Sequence, residues 1–206
     1  MVANALGVDV GGTFTDFAAW NGRRLITAKI STTPDQSEGV IDGSARLLDS
    51  PTNLLLHGTT VATNALLERK GARTALVTSE GFGDVIEIGR QDRPSLYDTF
   101  VDRSEPLVPR SLRFVDTDDL TALAGVDAIA VALLWSFQQP KVESELLEAI
   151  QRLAPDVPVS LSSRVAPEFR EFERTSTTVL NAYLSPVVGR YLQQLRSRAR
   201  AAGLPE

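Results

Sequence analysis

The first thirty residues leave the chain little freedom. Leu6, Val8 and Val10 alternate with Ala5, Gly7 and Asp9, the pattern of a strand with one apolar face. Gly11-Gly12 then supplies a turn, and Phe17 to Trp20 reads as a second strand. Asn21-Gly22 is the strongest short hairpin signal in the chain, and Arg23 to Ile30 returns as a third strand. A chain that opens this way is committed to three antiparallel strands with glycine at the first turn.

The remainder alternates helix and strand. Thr33-Pro34-Asp35-Gln36 has the form of a capping box with proline at the first helical position, predicting a helix through Leu48 that Pro51 stops. Leu54 to Leu56, apolar at successive positions, predicts a short buried strand that breaks into Gly58-Thr59-Thr60. A helix from Val61 to Lys70 follows, with Gly71 as its C-terminal cap. Further strands are expected at Thr74 to Thr78, Asp127 to Trp135 and Val157 to Leu161, and helices at Phe82 to Ile88 and Lys141 to Leu153. Arg90 to Leu112 is polar and proline-bearing, an ordered surface loop that Leu96, Tyr97, Phe100 and Val101 are expected to pin. The last helical region, about Thr175 to Ala202, is expected to kink or divide at Pro186, with Ser185 as a new cap. Three hairpin strands followed by this alternation predict an α/β layered domain with a mixed sheet.

Gly7 to Asp16 carries the clearest chemistry. Gly11 and Gly12 can take φ > 0 and bring bare backbone N–H groups against an anion, while Thr13 and Thr15 add hydroxyls. Asp9 and Asp16 would repel a phosphate unless a hard cation lay between, and Mg²⁺ held through water by one or two carboxylates fits. The spacing is neither the dinucleotide fingerprint nor the P-loop, and a glycine pair alone also marks an ordinary hairpin.

Composition narrows the rest. The 206 residues are enough for one large domain or two small ones. A net charge of −5 and the lack of a basic run with interleaved aromatics argue against a nucleic-acid partner. No cysteine is present, which excludes disulfides and thiolate chemistry, and His57 is the single histidine, which excludes a histidine-rich zinc site. The longest apolar run, Ala128 to Trp135, is too short to span a bilayer, and the start of the chain has no signal-peptide form. The expected compartment is the cytoplasm, with no membrane partner.

His57 ends a strand beside Gly-Thr-Thr and titrates near neutrality, so it is a candidate acid or base or, equally, a brace for the turn. Thr59, Thr60 and Asn64 could line a cleft or cap the helix that follows. Asp84 and Glu87 could hold a cation or be a solvated surface, and Arg90 and Arg93 could bind a carboxylate or form loop ion pairs. Glu171, Glu173, Arg174 and Thr175 read as an interface or as a solvated helix.

The element order with Asp9-Val10-Gly11-Gly12-Thr13 resembles the ribonuclease-H-like, actin-like ATPase lobe, a mixed sheet flanked by helices. His57 to Gly71, Gly81 to Gln91, Phe172 to Thr178 and Asn181 to Pro186 narrow it: in this order, across nearly the whole chain, they resemble the N-terminal region of the hydantoinase A / 5-oxoprolinase family. The resemblance implies ATP and Mg²⁺ as cofactors and a cyclic amide or imide of hydantoin or 5-oxoproline type as substrate, its ring carbonyl activated by phosphorylation before water opens the ring. Joined to the residue reading above, this makes Asp9 and His57 the catalytic candidates, puts Gly11, Gly12, Thr13, Phe14, Thr15, Thr59 and Thr60 around the nucleotide, and puts Asp9 and Asp16 on the metal. Residues 1–206 would form the ATP-binding lobe, one half of a longer enzyme. A second Asp-x-Gly-Gly turn is absent, so the lobe is expected to be inactive alone and to work with a second lobe and a B-type hydantoinase subunit. Relatives carry an extra polar stretch between the positions of Phe114 and Gly125, which is short here. An acetone or acetophenone carboxylase subunit and a non-catalytic nucleotide-binding module are the alternatives.

Overall fold

The computed structural model describes residues 4–48, 52–116 and 118–205. It divides into two compact units, Met1–Lys70 with Val187–Glu206, and Gly71–Pro186.

The first unit is built on β1 (Ala5–Val10), β2 (Phe14–Trp20), β3 (Leu25–Ser31) and β4 (Leu54–Thr59), with α1 (Gln36–Leu47) and α2 (Val61–Leu67). The sheet order is β3-β2-β1-β4; β1 pairs antiparallel with β2 and parallel with β4. This is the mixed sheet that the sequence predicts. Asn21-Gly22 makes its hairpin, with Gly22 at φ 85° and the Asn21 side chain accepting from the Arg23 and Arg24 amides. Leu6, Val8 and Val10 face a core with Phe17, Ala19 and Val40, against which Tyr191 and Leu195 also pack. A Cβ at Gly43 of α1 would lie 2.2 Å from Phe17 Cζ, so the glycine lets α1 lie close on the strand.

The cap of α1 is Asp35, not Thr33: its carboxylate accepts from the Ser37 and Glu38 amides. Pro34 therefore precedes the cap. The proline at Pro51, expected to stop this helix, lies outside the described residues. The end of α2 also differs. Arg69, at φ 55°, takes the left-handed conformation expected of Gly71. Gly71 is required for another reason, since a Cβ there would come 2.0 Å from the Tyr183 ring.

In the second unit β5 (Thr74–Thr78), β6 (Arg113–Val115), β7 (Ala128–Ala132) and β8 (Val159–Leu161) form an all-parallel sheet of order β6-β5-β7-β8. Every residue of β5 and β7 is buried. Ala75, Val77, Ile129 and Val131 face Leu123 and Ile150, while Leu76, Ala128 and Ala130 face Val108, Val179 and Ala182. The helices are α3 (Val85–Ile88), α4 (Pro140–Leu153), α5 (Ser162–Val165) and the first part of α6 (Glu171–Ala201). Of the kink or division expected at Pro186, the division does not occur: α6 is one element with Pro186 inside it. Its apolar stripes, Val179 and Ala182 before the proline and Tyr191, Leu195 and Ala199 after it, are buried and offset the roughly 3 kcal/mol that an interior proline costs.

Two buried charged side chains fix the end of β7. Glu143 accepts from the Leu133 amide, the Ser162 hydroxyl and the Ser163 amide at 3.0, 2.6 and 2.8 Å. Arg174, 1% exposed, donates to the carbonyls of Leu133 and Glu168. The solvated-helix reading of Arg174 is thereby excluded.

The loop after α3 corrects a further expectation. Leu96, Tyr97, Phe100 and Val101 do not pin it: Tyr97 is 97% and Phe100 92% exposed. Arg103 holds it instead, donating to the carbonyls of Glu87, Ile88 and Asp92.

Candidate functional site

Strand register gathers the charged candidates into one row. Asp9 lies opposite Asp16 on β2 and Gly58 on β4, and Asp16 lies opposite Lys29 on β3. Alternation puts Leu6, Val8 and Val10 into the core, so all members of this row project from the other face. The Lys29 ammonium lies 2.9 Å from Asp16 and 5.2 Å from the centroid of the Phe14 ring. The Asp9 carboxylate has no hydrogen bond or ion pair among the described residues. Two carboxylates directly opposite each other destabilise a sheet, and Lys29 answers only one of them. Gly58 makes room: a Cβ there would come 2.9 Å from Asp9 Oδ1.

The turn beside this row is braced from several sides. The Gly11 amide donates to the Phe14 carbonyl at 3.0 Å, the Thr32 amide to Thr13 O at 2.9 Å and the Thr32 hydroxyl to Gly11 O at 3.0 Å. Both the amide and the hydroxyl of Thr60 donate to Val10 O. Neither Gly11 nor Gly12 adopts the positive φ expected for them; what the turn uses is the missing side chain. A Cβ at Gly11 would crowd Phe14 O at 3.0 Å. At Gly12 a Cβ would make only an ordinary 3.6 Å contact with Asn64 Nδ2, so the position is open from the protein side.

Thr13 and Phe14 stand exposed on the turn. Thr15 does not: it is buried, its hydroxyl bonded to that of Thr32 at 3.1 Å, so it braces the turn rather than facing outward. Thr59 and Thr60 reach the same end of the sheet from β4. Thr59 Oγ1 accepts from the Val61 amide, and Thr60 accepts from Asn64 Nδ2 at 3.2 Å. The hollow on the open face, about 830 Å³, is lined by Gly7, Asp9, Asp16, Lys29 and Gly58 among others. A second, about 600 Å³ and on the helical side, includes Gly12, Asn64, Lys70, Arg190 and Tyr191.

His57 is opposite Val8 in register and so faces the helices, away from the Asp9 row. Its Nε2 and the Tyr191 hydroxyl are 2.8 Å apart, and Nδ1 is buried without a partner. Burial holds its pKa below the ordinary value, partly opposed by the charge of Asp9. Burial raises that of Tyr191, whose phenol is also hydrogen-bonded to Thr59. Tyr191 is not among the residues that the sequence singles out; its partner is 134 positions away, and nothing local signals the pairing. Arg198 likewise reaches Asp35 at 2.7 Å and, with Ser37, holds that carboxyl down at about 2.

The remaining candidates lie in the second unit. Asp84 and Glu87 are ion-paired with Arg110 and Arg113, and Arg90 pairs with Glu173 at 2.6 Å. Among the described residues no three His, Cys, Asp or Glu side chains form a metal cage, and no helix is long and apolar enough to cross a membrane. Asp9 and Asp16 still fit Mg²⁺, which takes one or two carboxylates and completes its shell with water and phosphate.

A mixed β3-β2-β1-β4 sheet with the glycine turn and the acidic row at one end defines the class: an actin-like α/β fold. Residues 5–122 match the hydantoinase/oxoprolinase N-terminal region, and the chain belongs to that family. It is 34% identical over 225 residues to the caprolactamase subunit alpha of Pseudomonas jessenii, covering 92% of this chain and 32% of that one. Against the acetophenone carboxylase gamma subunit of Aromatoleum aromaticum it is 34% identical over 246 residues, 97% of this chain and 34% of the relative. The crystal structure of the ATP-dependent caprolactamase from Pseudomonas jessenii superposes with a TM-score of 0.82 at 31% identity, over 98% of this chain and 34% of that one. The chain thus spans about a third of the length of these two relatives, and about a fifth of the 5-oxoprolinases it matches.

Proposed function

We propose that residues 1–206 are the phosphate-binding lobe of a longer ATP-dependent enzyme that hydrolyses a cyclic amide or imide of hydantoin or 5-oxoproline type. The observation that carries this reading is the Asp9–Asp16 pair, in register on an open sheet face beside a glycine turn, in a chain similar to an ATP-dependent caprolactamase. Phosphoryl transfer asks a protein chiefly for position and charge. Gly11, Gly12, Thr13 and Phe14 bring the turn to the phosphates, with Thr59 and Thr60 at the end of β4; Thr15 holds the turn from behind. Mg²⁺ on Asp9 and Asp16 would neutralise the phosphate oxygens. Asp9 faces the reacting groups. His57 acts from the other side of the sheet, keeping Thr59 in place through Tyr191. The finer placement of the cyclic substrate belongs to a second lobe, and a B-type subunit completes the assembly; the cytoplasm is the compartment where ATP is at hand.

Similarity over nearly the whole chain to a subunit of acetophenone carboxylase favours a second reading, in which the same lobe serves ATP-dependent carboxylation. Product analysis with and without bicarbonate separates the two.

Calorimetric titration of Mg²⁺-ATP, into this chain and into the full-length gene product, tests the lobe. Asp9→Ala is expected to weaken binding at least tenfold. Gly12→Ala is the cleaner probe, because the protein has room for that methyl and a loss of affinity then reports a ligand on the turn. Binding by the full-length protein that neither substitution alters would place the nucleotide elsewhere.

A further inference from the structure

The open face of the first sheet continues past the acidic row, and there it becomes apolar. Register defines two more rows on that face: Thr27, Ala18, Gly7 and Leu56, then Leu25, Trp20, Ala5 and Leu54. Trp20, Leu25, Leu54 and Leu56 are 42 to 58% exposed. Down the middle, Ala5, Gly7 and Ala18 are small, so the rows make a trough with leucines on β4 at one side, Leu25 on β3 at the other and Trp20 at the end.

Two features mark this as a covered surface seen without its cover. Leu54, Leu55 and Leu56 have the run of a strand buried on both faces, yet only Leu55 joins the core. β4 also pairs parallel with β1, and parallel strands are ordinarily buried on both sides. Isolated exposed leucines need no explanation; four large apolar side chains in two adjacent rows of one sheet face do. The shape suits a helix. Four strands spaced about 4.8 Å apart put the outer two roughly 14 Å apart, and a helix about 10 Å across seats between their large side chains.

We infer that this trough is the docking surface for an amphipathic helix from the part of the enzyme outside these 206 residues. The inference rests on reading the chain as a lobe of a longer enzyme. That part is substantial, since the relatives are about three times as long. The helix presents an apolar face to Leu54, Leu56 and Trp20 and stops short of the Lys29–Asp16–Asp9 row, leaving the acidic pair open to ligand.

The experiment measures binding between this chain and a separately expressed polypeptide corresponding to the rest of the full-length gene product. Leu54→Lys with Leu56→Lys is expected to weaken association at least tenfold while leaving the circular dichroism and thermal midpoint of this chain unchanged, because both side chains are already solvated in it. Equal affinity of wild type and variant would overturn the docking surface and leave the lobe reading standing. Failure of the wild-type chain to bind would overturn the lobe reading and this inference with it. A wild-type chain that is dimeric by light scattering, and monomeric as the variant, would assign the trough to a second copy and overturn the helix.

Discussion

The two sheets are built from similar strands and finished differently. In the second unit β5 and β7 are apolar on both faces and buried on both, with α4 and the Leu120 to Gly125 turn on one side and α6 on the other. In the first unit β4 carries the same kind of sequence, but only one of its faces is covered. A sheet closed on both faces has used its strands for stability. One closed on a single face keeps a surface on which carboxylates, a lysine and leucines stand in register and can meet something else.

The sharpest way to break this comparison is a pair of equivalent truncations. Ile129→Ala, at a fully buried site of β7, is expected to cost about 2–5 kcal/mol of unfolding free energy. Leu56→Ala on the open face is expected to stay within about 0.5 kcal/mol in this chain. Urea unfolding of both variants reads the difference directly. If Leu56→Ala were as costly as Ile129→Ala, the open face would be a core and the contrast between the sheets would fail.

Next in size is the polar clamp on β7. Glu143→Ala leaves the Leu133 and Ser163 amides without their buried acceptor and is expected to cost about 1–3 kcal/mol. The corresponding loss on the open face, Asp9→Ala, removes one of two opposed carboxylates and is expected to leave stability unchanged or slightly raised. Thermal unfolding of the two variants ranks them. A destabilised Asp9→Ala would mean that Asp9 is a structural residue.

Asp35 supplies a pH-dependent difference confined to the first unit. Arg198 and Ser37 hold its carboxyl down to about 2, below the ordinary aspartate value. The stability it contributes is therefore complete above about pH 4 and is lost as pH falls from 4 towards 2. The pair is partly exposed, so screening limits the effect to roughly 1 kcal/mol at most. Asp35→Asn should flatten the acid limb of stability against pH; an unchanged limb would show that the ion pair does not persist in solution.

How much of this was legible in the sequence follows from the range of the interaction. The Asn21-Gly22 hairpin, the order of strands and helices, and the Asp9 to Asp16 turn are local patterns, and the structure keeps them. Expectations failed where a residue answers to a distant partner. Gly71 reads as a helix cap because glycine favours left-handed backbone, while its cause is the Tyr183 ring. Arg174 and Glu143 look like surface charges on amphipathic helices until β7 lies between them. Thr15 was counted among outward hydroxyls although the strand's alternation puts it with Phe17 and Ala19; that parity was readable. The split of the strands into two sheets was not, because nothing local says which of β4 and β5 a strand will join.

The smallest expected effect crosses the first sheet from one face to the other. His57 lies under the sheet among helices, and its pKa is lowered by burial, while the carboxylate of Asp9 on the opposite face pulls it back up. Because His57 is the single histidine, one imidazole resonance can be followed by NMR against pH. Its midpoint is expected below 6.5, and whatever stability its neutral form contributes is present above that pH and declines as pH falls. Asp9→Asn removes the opposing charge and should lower the midpoint further. High salt should shrink that shift. A rise in the midpoint would show that Asp9 does not act on His57 through the sheet, and the two catalytic candidates would then belong to independent faces.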